Sequence, residues 1–153
     1  MAVPSIRERL GWPADPAMHR RIRRLWQRHS IAEDRRDIDG LIATLTPDCV
    51  YELVPSGQRW EGHAGARAFY EELFVAFPDN RFSLTDIVIG PQGVFEVATL
   101  EATHRAPFAG LEATNKPVRL IVAILFPWDP ELACFQGERI FLDRAALLPD
   151  LSR

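Results

Sequence analysis

Met18, Ile22, Leu25, Trp26 and His29 fall at helical spacing, with Arg20, Arg21, Arg23, Arg24 and Arg28 on the opposite face. Proline suits a first helical turn, so this amphipathic helix begins near Pro16. A second helix is expected over Asp37–Leu45, opened by an aspartate cap and stopped before Pro47. Cys49–Val54 reads as a strand, followed by a Pro55-Ser56-Gly57 turn and a short strand to Trp60. Gly65–Phe77 then places Phe69, Leu73, Phe74 and Phe77 on one helical face, and Pro78 ends it.

Beyond Arg81 the pattern is that of strands. Phe82–Ile89 and Val94–Arg105 flank the hairpin signal Gly90-Pro91-Gln92-Gly93. Val118–Trp128 is apolar on both faces and belongs in the middle of a sheet. The turn Asp129-Pro130-Glu131 leads into a last strand ending Gly137-Glu138-Arg139-Ile140-Phe141-Leu142-Asp143. Strict alternation there puts Phe135, Arg139, Phe141 and Asp143 on one side, and Gln136, Glu138, Ile140 and Leu142 on the other. Charge flanked by aromatic rings on a strand face points to a pocket wall or a structural ion pair.

Helices first and long strands after is the α+β order. The expected fold is a curved antiparallel sheet wrapped around three helices of the N-terminal half, a cone whose mouth can hold a small molecule. Residues 1–16, with Pro4, Pro13 and Pro16, read as an arm with one short helical turn. Residues 17–148 form one domain, and 149–153 a tail.

Composition changes this picture little. A hydrophobic share of 47% and a charged share of 25% are ordinary for a globular chain. Net charge is −3, and acids follow the arginine-rich helix at Glu33, Asp34, Asp37 and Asp39, so no nucleic-acid partner is expected. No apolar run approaches bilayer length and no signal-peptide core is present, so neither a membrane partner nor export is expected, and the cytoplasm is the expected compartment. Cys49 and Cys134 read as buried free thiols. The histidines at 19, 29, 63 and 104 lack the spacing of a metal site, and no nucleotide or nucleophile motif occurs. No metal and no cofactor are expected.

Several short landmarks occur together. They are Asp34–Leu41 with Thr46–Leu53, Trp60-Glu61-Gly62, Ala76-Phe77-Pro78-Asp79, Thr103–Gly110 and Gly137–Asp143. In this order they resemble the SnoaL-like polyketide cyclase group of the nuclear transport factor 2-like superfamily. The resemblance implies an α+β cone, a homodimer, and an apolar small-molecule ligand held without a cofactor. It matches Asp143 to the family's general acid/base aspartate and His104 to its histidine. Two departures stand out: Glu112-Ala113-Thr114-Asn115 replaces the family's Pro-Thr-Gly, and Leu148-Pro149-Asp150-Leu151 replaces its Gln-Leu-Gly.

Cofactor-free chemistry of this kind needs a base beside a carbonyl and a donor for the enolate oxygen. Asp143 is read as the base, or else as a carboxylate that ends the strand or caps Arg144-Ala145-Ala146. His104, on a strand face with Glu96, Ala98, Leu100 and Ala102, is read as a proton shuttle or a satisfied core histidine. Arg139 is either catalytic or paired with Glu101. Tyr51, Trp60, Phe141, His29 and Glu101 are expected to contact substrate. The expected function is general acid/base chemistry on an apolar carbonyl compound, as a cyclase, isomerase or dehydratase. The alternatives are an epoxide hydrolase of the limonene-epoxide type, with a carboxylate–arginine–carboxylate set, and a ligand-binding or dimerisation module without catalysis.

Overall fold

The computed structural model describes residues 4–148. The arm carries α1 (Ile6–Leu10), closed by a capping box in which Ser5 Oγ accepts from the Glu8 amide and the Glu8 carboxylate from the Ser5 amide. α2 (Pro16–Asp34) starts where the proline suggested, with Asp15 accepting from the amides of Ala17 and Met18. It buries Ile22, Leu25 and His29 and leaves its arginines in solvent. α3 (Ile38–Ile42) opens on the expected Asp37 cap but ends earlier than Leu45. Thr44 terminates it, because its amide and its hydroxyl both donate to the Leu41 carbonyl. Leu45 is therefore already the first residue of β1 (Leu45–Leu53).

β2 (Gln58–Glu61) leads into α4 (Gly62–Ala76), which buries Phe69, Tyr70 and Leu73. β3 (Arg81–Gly90), β4 (Gly93–Thr103), β5 (Pro117–Asp129) and β6 (Cys134–Leu142) follow, then a 3-10 turn at Arg144–Leu147. Residues 104–116 form a strap between β4 and β5. The tail 149–153 lies outside the described residues.

The six strands form one sheet in the order β2-β1-β6-β5-β4-β3. β1 pairs parallel with β6 and every other neighbouring pair is antiparallel, so the sheet is mixed at one seam. The long path from β1 through α4 and four strands is what permits parallel pairing there. Burial alternates cleanly along β4 and β5: Glu96, Ala98 and Leu100, with Leu120, Val122 and Ile124, face inward beneath the helices.

β6 breaks that alternation. Leu125 of β5 opposes Arg139 while Trp128 opposes Phe135, so three steps along β5 match four along β6. The extra residue is a bulge at Gly137, whose φ is 104°. A Cβ at Gly137 would stand 2.0 Å from the Val50 carbonyl oxygen. Past the bulge the faces exchange, and Phe135, Glu138 and Ile140 are all buried. The expected grouping of Phe135 with Arg139, Phe141 and Asp143 is thereby corrected, because strict alternation ignored the bulge. Replacing Gly137 by Ala is expected to destabilise the fold by roughly 3 kcal/mol or more. Gly90→Ala, where nothing lies within 4 Å, should stay within about 0.5 kcal/mol of wild type in urea unfolding.

Candidate functional site

The bulge delivers Glu138 into the interior, where it is only 3% exposed. An ionisable group so buried needs partners, and three elements supply them. Tyr70 of α4 donates its hydroxyl proton to Glu138 Oε1 at 2.8 Å. His29 of α2 brings Nε2 to 3.1 Å from the same oxygen and 3.0 Å from the Tyr70 hydroxyl. Tyr51 of β1 reaches the Tyr70 hydroxyl at 2.9 Å.

Proton counting orients this cluster. The Thr44 hydroxyl donates to the Leu41 carbonyl at 2.6 Å, so its oxygen accepts from His29 Nδ1 at 2.7 Å. Nδ1 thus carries a proton. Tyr70 has a single proton and cannot serve both Glu138 and His29 Nε2. The His29–Glu138 edge therefore needs a proton of its own, and the pair exists as imidazolium–carboxylate or as imidazole–carboxylic acid. Burial, then the Glu138 charge, pushes both tyrosine hydroxyls well above their ordinary range, so they remain donors at neutral pH.

Glu138 also lines a narrow cavity of about 30 Å³, the space of roughly one water molecule. Its walls are apolar side chains of α4 (Phe69, Leu73), the sheet (Leu53, Val122, Ile140) and the strap (Phe108). Among the described residues its polar lining is Glu33 and Glu138 alone. The bonds from Tyr70 and His29 both end on Glu138 Oε1. Phe108 packs on Phe77 at 5.2 Å between ring centres, which holds the strap against the core.

A second hollow of about 80 Å³ is lined by Trp26, His29, Glu33, Phe82, Glu96 and Phe126 among others. Glu33 and Phe82 line both spaces. Glu96 Oε2 accepts from Trp26 Nε1 at 2.7 Å, and burial pushes its carboxyl up to about 7. Glu33 is half-buried, and desolvation raises its carboxyl well above the usual carboxylate range, with Glu138, Glu96 and Asp34 adding to the effect.

Of the residues proposed from sequence, His29 and Tyr51 belong to this cluster. The others stand elsewhere. Asp143 is exposed, and its Oδ1 accepts from the Ala145 amide at 2.9 Å, the capping alternative. Arg139 lies on the outer face and pairs with Glu52 at 3.5 Å, not with Glu101. Glu101 pairs with Arg119, its cross-strand partner on β5, at 3.4 Å, and both side chains are exposed. Phe141 is on the outer face as well, 37% exposed. Trp60 packs edge-on against Phe69 without reaching either hollow. His104 is fully buried, stacks on Phe77 at 5.2 Å, and has no partner for either ring nitrogen. Burial lowers its pKa, so it is a neutral core ring outside both hollows.

Glu138, Tyr70 and Glu33 escaped the sequence reading. Gly137, a glycine inside a strand, was the available sign that the face pattern resets before Glu138. Tyr70 had the sign of a polar handle beside Phe69 on a buried stripe. For Glu33 there was none, since it continues a run of acids that reads as solvated.

Glu96 provides a pH test of this interior. Its folded-state value of about 7 lies above the ordinary glutamate value of 4.5, so folding favours the protonated acid. That stabilisation is complete below about pH 4.5 and lost as pH rises to about 7. Glu96→Gln keeps an oxygen for Trp26 and removes the titration. Relative to this variant, wild type should lose up to about 3 kcal/mol across that window in denaturant titrations at several pH values.

Comparison with known proteins places the fold. No curated protein matches the sequence. A proposed SnoaL-like polyketide cyclase from Jannaschia superposes with a TM-score of 0.70 at 24% identity, covering 92% of this chain and 100% of that one. AclR, a proposed hydroxylase from Streptomyces galilaeus, gives 0.67 at 22% identity over 86% and 94%. An epoxide hydrolase of the LEH-like type from M. tuberculosis gives 0.63 at 17% identity over 83% and 86%. These identities speak for a common fold and not for a common reaction. Residues 18–151 match the family model of SnoaL-like polyketide cyclases, and the chain belongs to that family.

Proposed function

We propose that this protein is an enzyme that moves a proton on an apolar carbonyl compound, in a cyclisation, isomerisation or dehydration, with Glu138 as the general base. The observation that carries this reading is a buried carboxylate wired to a histidine and two tyrosines at the wall of an otherwise apolar cavity. Apolar walls keep bulk water away from the carboxylate and from the carbon it would act on. His29 and Tyr70 hold Oε1, which leaves Oε2 to meet a C–H bond beside the substrate carbonyl. The proton shared by His29 and Glu138 can then redistribute within the pair, and Thr44 keeps the imidazole turned correctly.

An epoxide-opening reaction, the activity named for the M. tuberculosis relative, has less support. It would place a cation between carboxylates, and Arg139 is held on the outer face by Glu52.

Glu138→Gln preserves an oxygen for Tyr70 and abolishes the base. Folding should survive, and turnover of a carbonyl substrate should drop between about a hundredfold and ten-thousandfold. Asp143→Asn should retain turnover within a few-fold. Equal loss in both variants, or full activity of the Gln variant, would remove Glu138 from the chemistry.

The same reading includes a second copy of the chain. Val88, Phe95 and Ile121 are 65%, 42% and 68% exposed on the outer face of the sheet, beside Phe141. So many apolar residues on one face call for cover. Light scattering at micromolar concentration should give a dimer for wild type and a monomer for Ile121→Lys. A monomeric wild type contradicts this pairing.

A further inference from the structure

We propose that Glu33 is the group that holds the substrate's carbonyl oxygen, donating a hydrogen bond from its carboxyl O–H while Glu138 takes the neighbouring proton. This deepens, and rests on, the acid/base reading of Glu138.

The cavity offers two polar residues, and the chemistry needs two polar roles. A base alone leaves the developing enolate charge in an apolar space, where a positioned donor is worth most. The two carboxyls stand in opposite surroundings. Glu138 accepts from the Tyr70 hydroxyl and lies 3.1 Å from the His29 ring nitrogen. Glu33 bonds no described side chain and sits in the last turn of α2, where the helix's carbonyl end disfavours negative charge. The charged groups acting on it are all acidic: Asp34 beside it, Glu138 on β6 and Glu96 on β4. Arg36, three residues on, is engaged by the Pro78 carbonyl and the Phe74 ring. Like charges so placed cannot all ionise, and Glu33 is the one without support. Pairs of carboxyls driven apart in this way divide into base and acid.

The proton balance closes. Glu138 accepts a proton from the carbon beside the carbonyl, and the C–H electron pair becomes the C=C bond. The carbonyl π pair moves onto oxygen, which the Glu33 O–H stabilises without giving up its proton. Glu138 then returns its proton to carbon or to a leaving hydroxyl. The substrate class follows: a neutral ketone or aldehyde with an apolar body, and not a carboxylate, which Glu138 would repel.

The test uses 2-tetralone, an apolar bicyclic ketone with an acidified C–H, labelled with 13C at its carbonyl. Bound to wild type, the carbonyl resonance should move downfield, the signature of a strong donor. It should move nearly as far with Glu33→Gln, whose amide still donates, and stay at its free value with Glu33→Ala. Deuterium exchange at the adjacent carbon in D2O should slow about a hundredfold or more in Glu33→Ala and roughly tenfold in Glu33→Gln. In protein labelled at the glutamate side-chain carboxyl carbon, the resonance lost in Glu33→Gln should be that of a carboxylic acid at pH 7. A carboxylate there, or bound ketone with an unshifted carbonyl, overturns the role of Glu33 while leaving Glu138 as base. Unchanged exchange in Glu138→Gln, or no binding and no exchange by wild type, overturns the acid/base reading and this inference with it.

Discussion

One backbone contact governs where this protein keeps its chemistry. Gly137 lies so close to the Val50 carbonyl that no side chain fits between them. The bulge this close approach creates reverses the faces of β6 partway along the strand. Without it, Glu138 would point to solvent and Arg139 inward, and the interior would hold a cation in place of a carboxylate. A single left-handed backbone angle thereby selects the charge of the cavity.

The rest of the interior is arranged around the consequence. A buried carboxylate is tolerable only with hydrogen bonds, and its donors come from elements far apart in sequence. α2 supplies His29 and α4 supplies Tyr70, whose hydroxyl is bonded in turn by Tyr51 of β1. Thr44 performs two tasks, ending α3 early and fixing the imidazole through the same hydroxyl. The early end of α3 is therefore part of the site and not an irregularity of the chain. Aromatic rings fill the remaining space, as where Phe126 and Phe135 meet the His29 ring edge-on.

The architecture was largely legible in the sequence because its signals are local. The apolar stripes of α2 and α4, the Asp37 cap and the Gly90–Gly93 turn each specify their element through nearest neighbours. The site was legible only where it shares those signals. His29 and Tyr51 lie on stripes that periodicity identifies, and both belong to the cluster. Arg139, Phe141 and Asp143 were misplaced because period-two alternation carries no information about a bulge set by contact with a distant strand, and Glu101 because alternation along β4 does not say which face is inward. Glu33 was hidden differently: its helix runs on past the solvated arginines until its last turn meets the sheet's inner face, a packing outcome that no local pattern encodes.

The most direct measurement of the central claim is a crystal structure with 2-naphthol, a flat and stable mimic of the enol of 2-tetralone. The ring system should fill the apolar cavity with the Phe108 strap displaced. The carbon beside the hydroxyl-bearing carbon should face Glu138 Oε2, and the oxygen should lie within hydrogen-bonding distance of Glu33. A ligand seated with its oxygen away from both carboxyls, or bound on the outer face beside Asp143 and Arg139, would contradict the account.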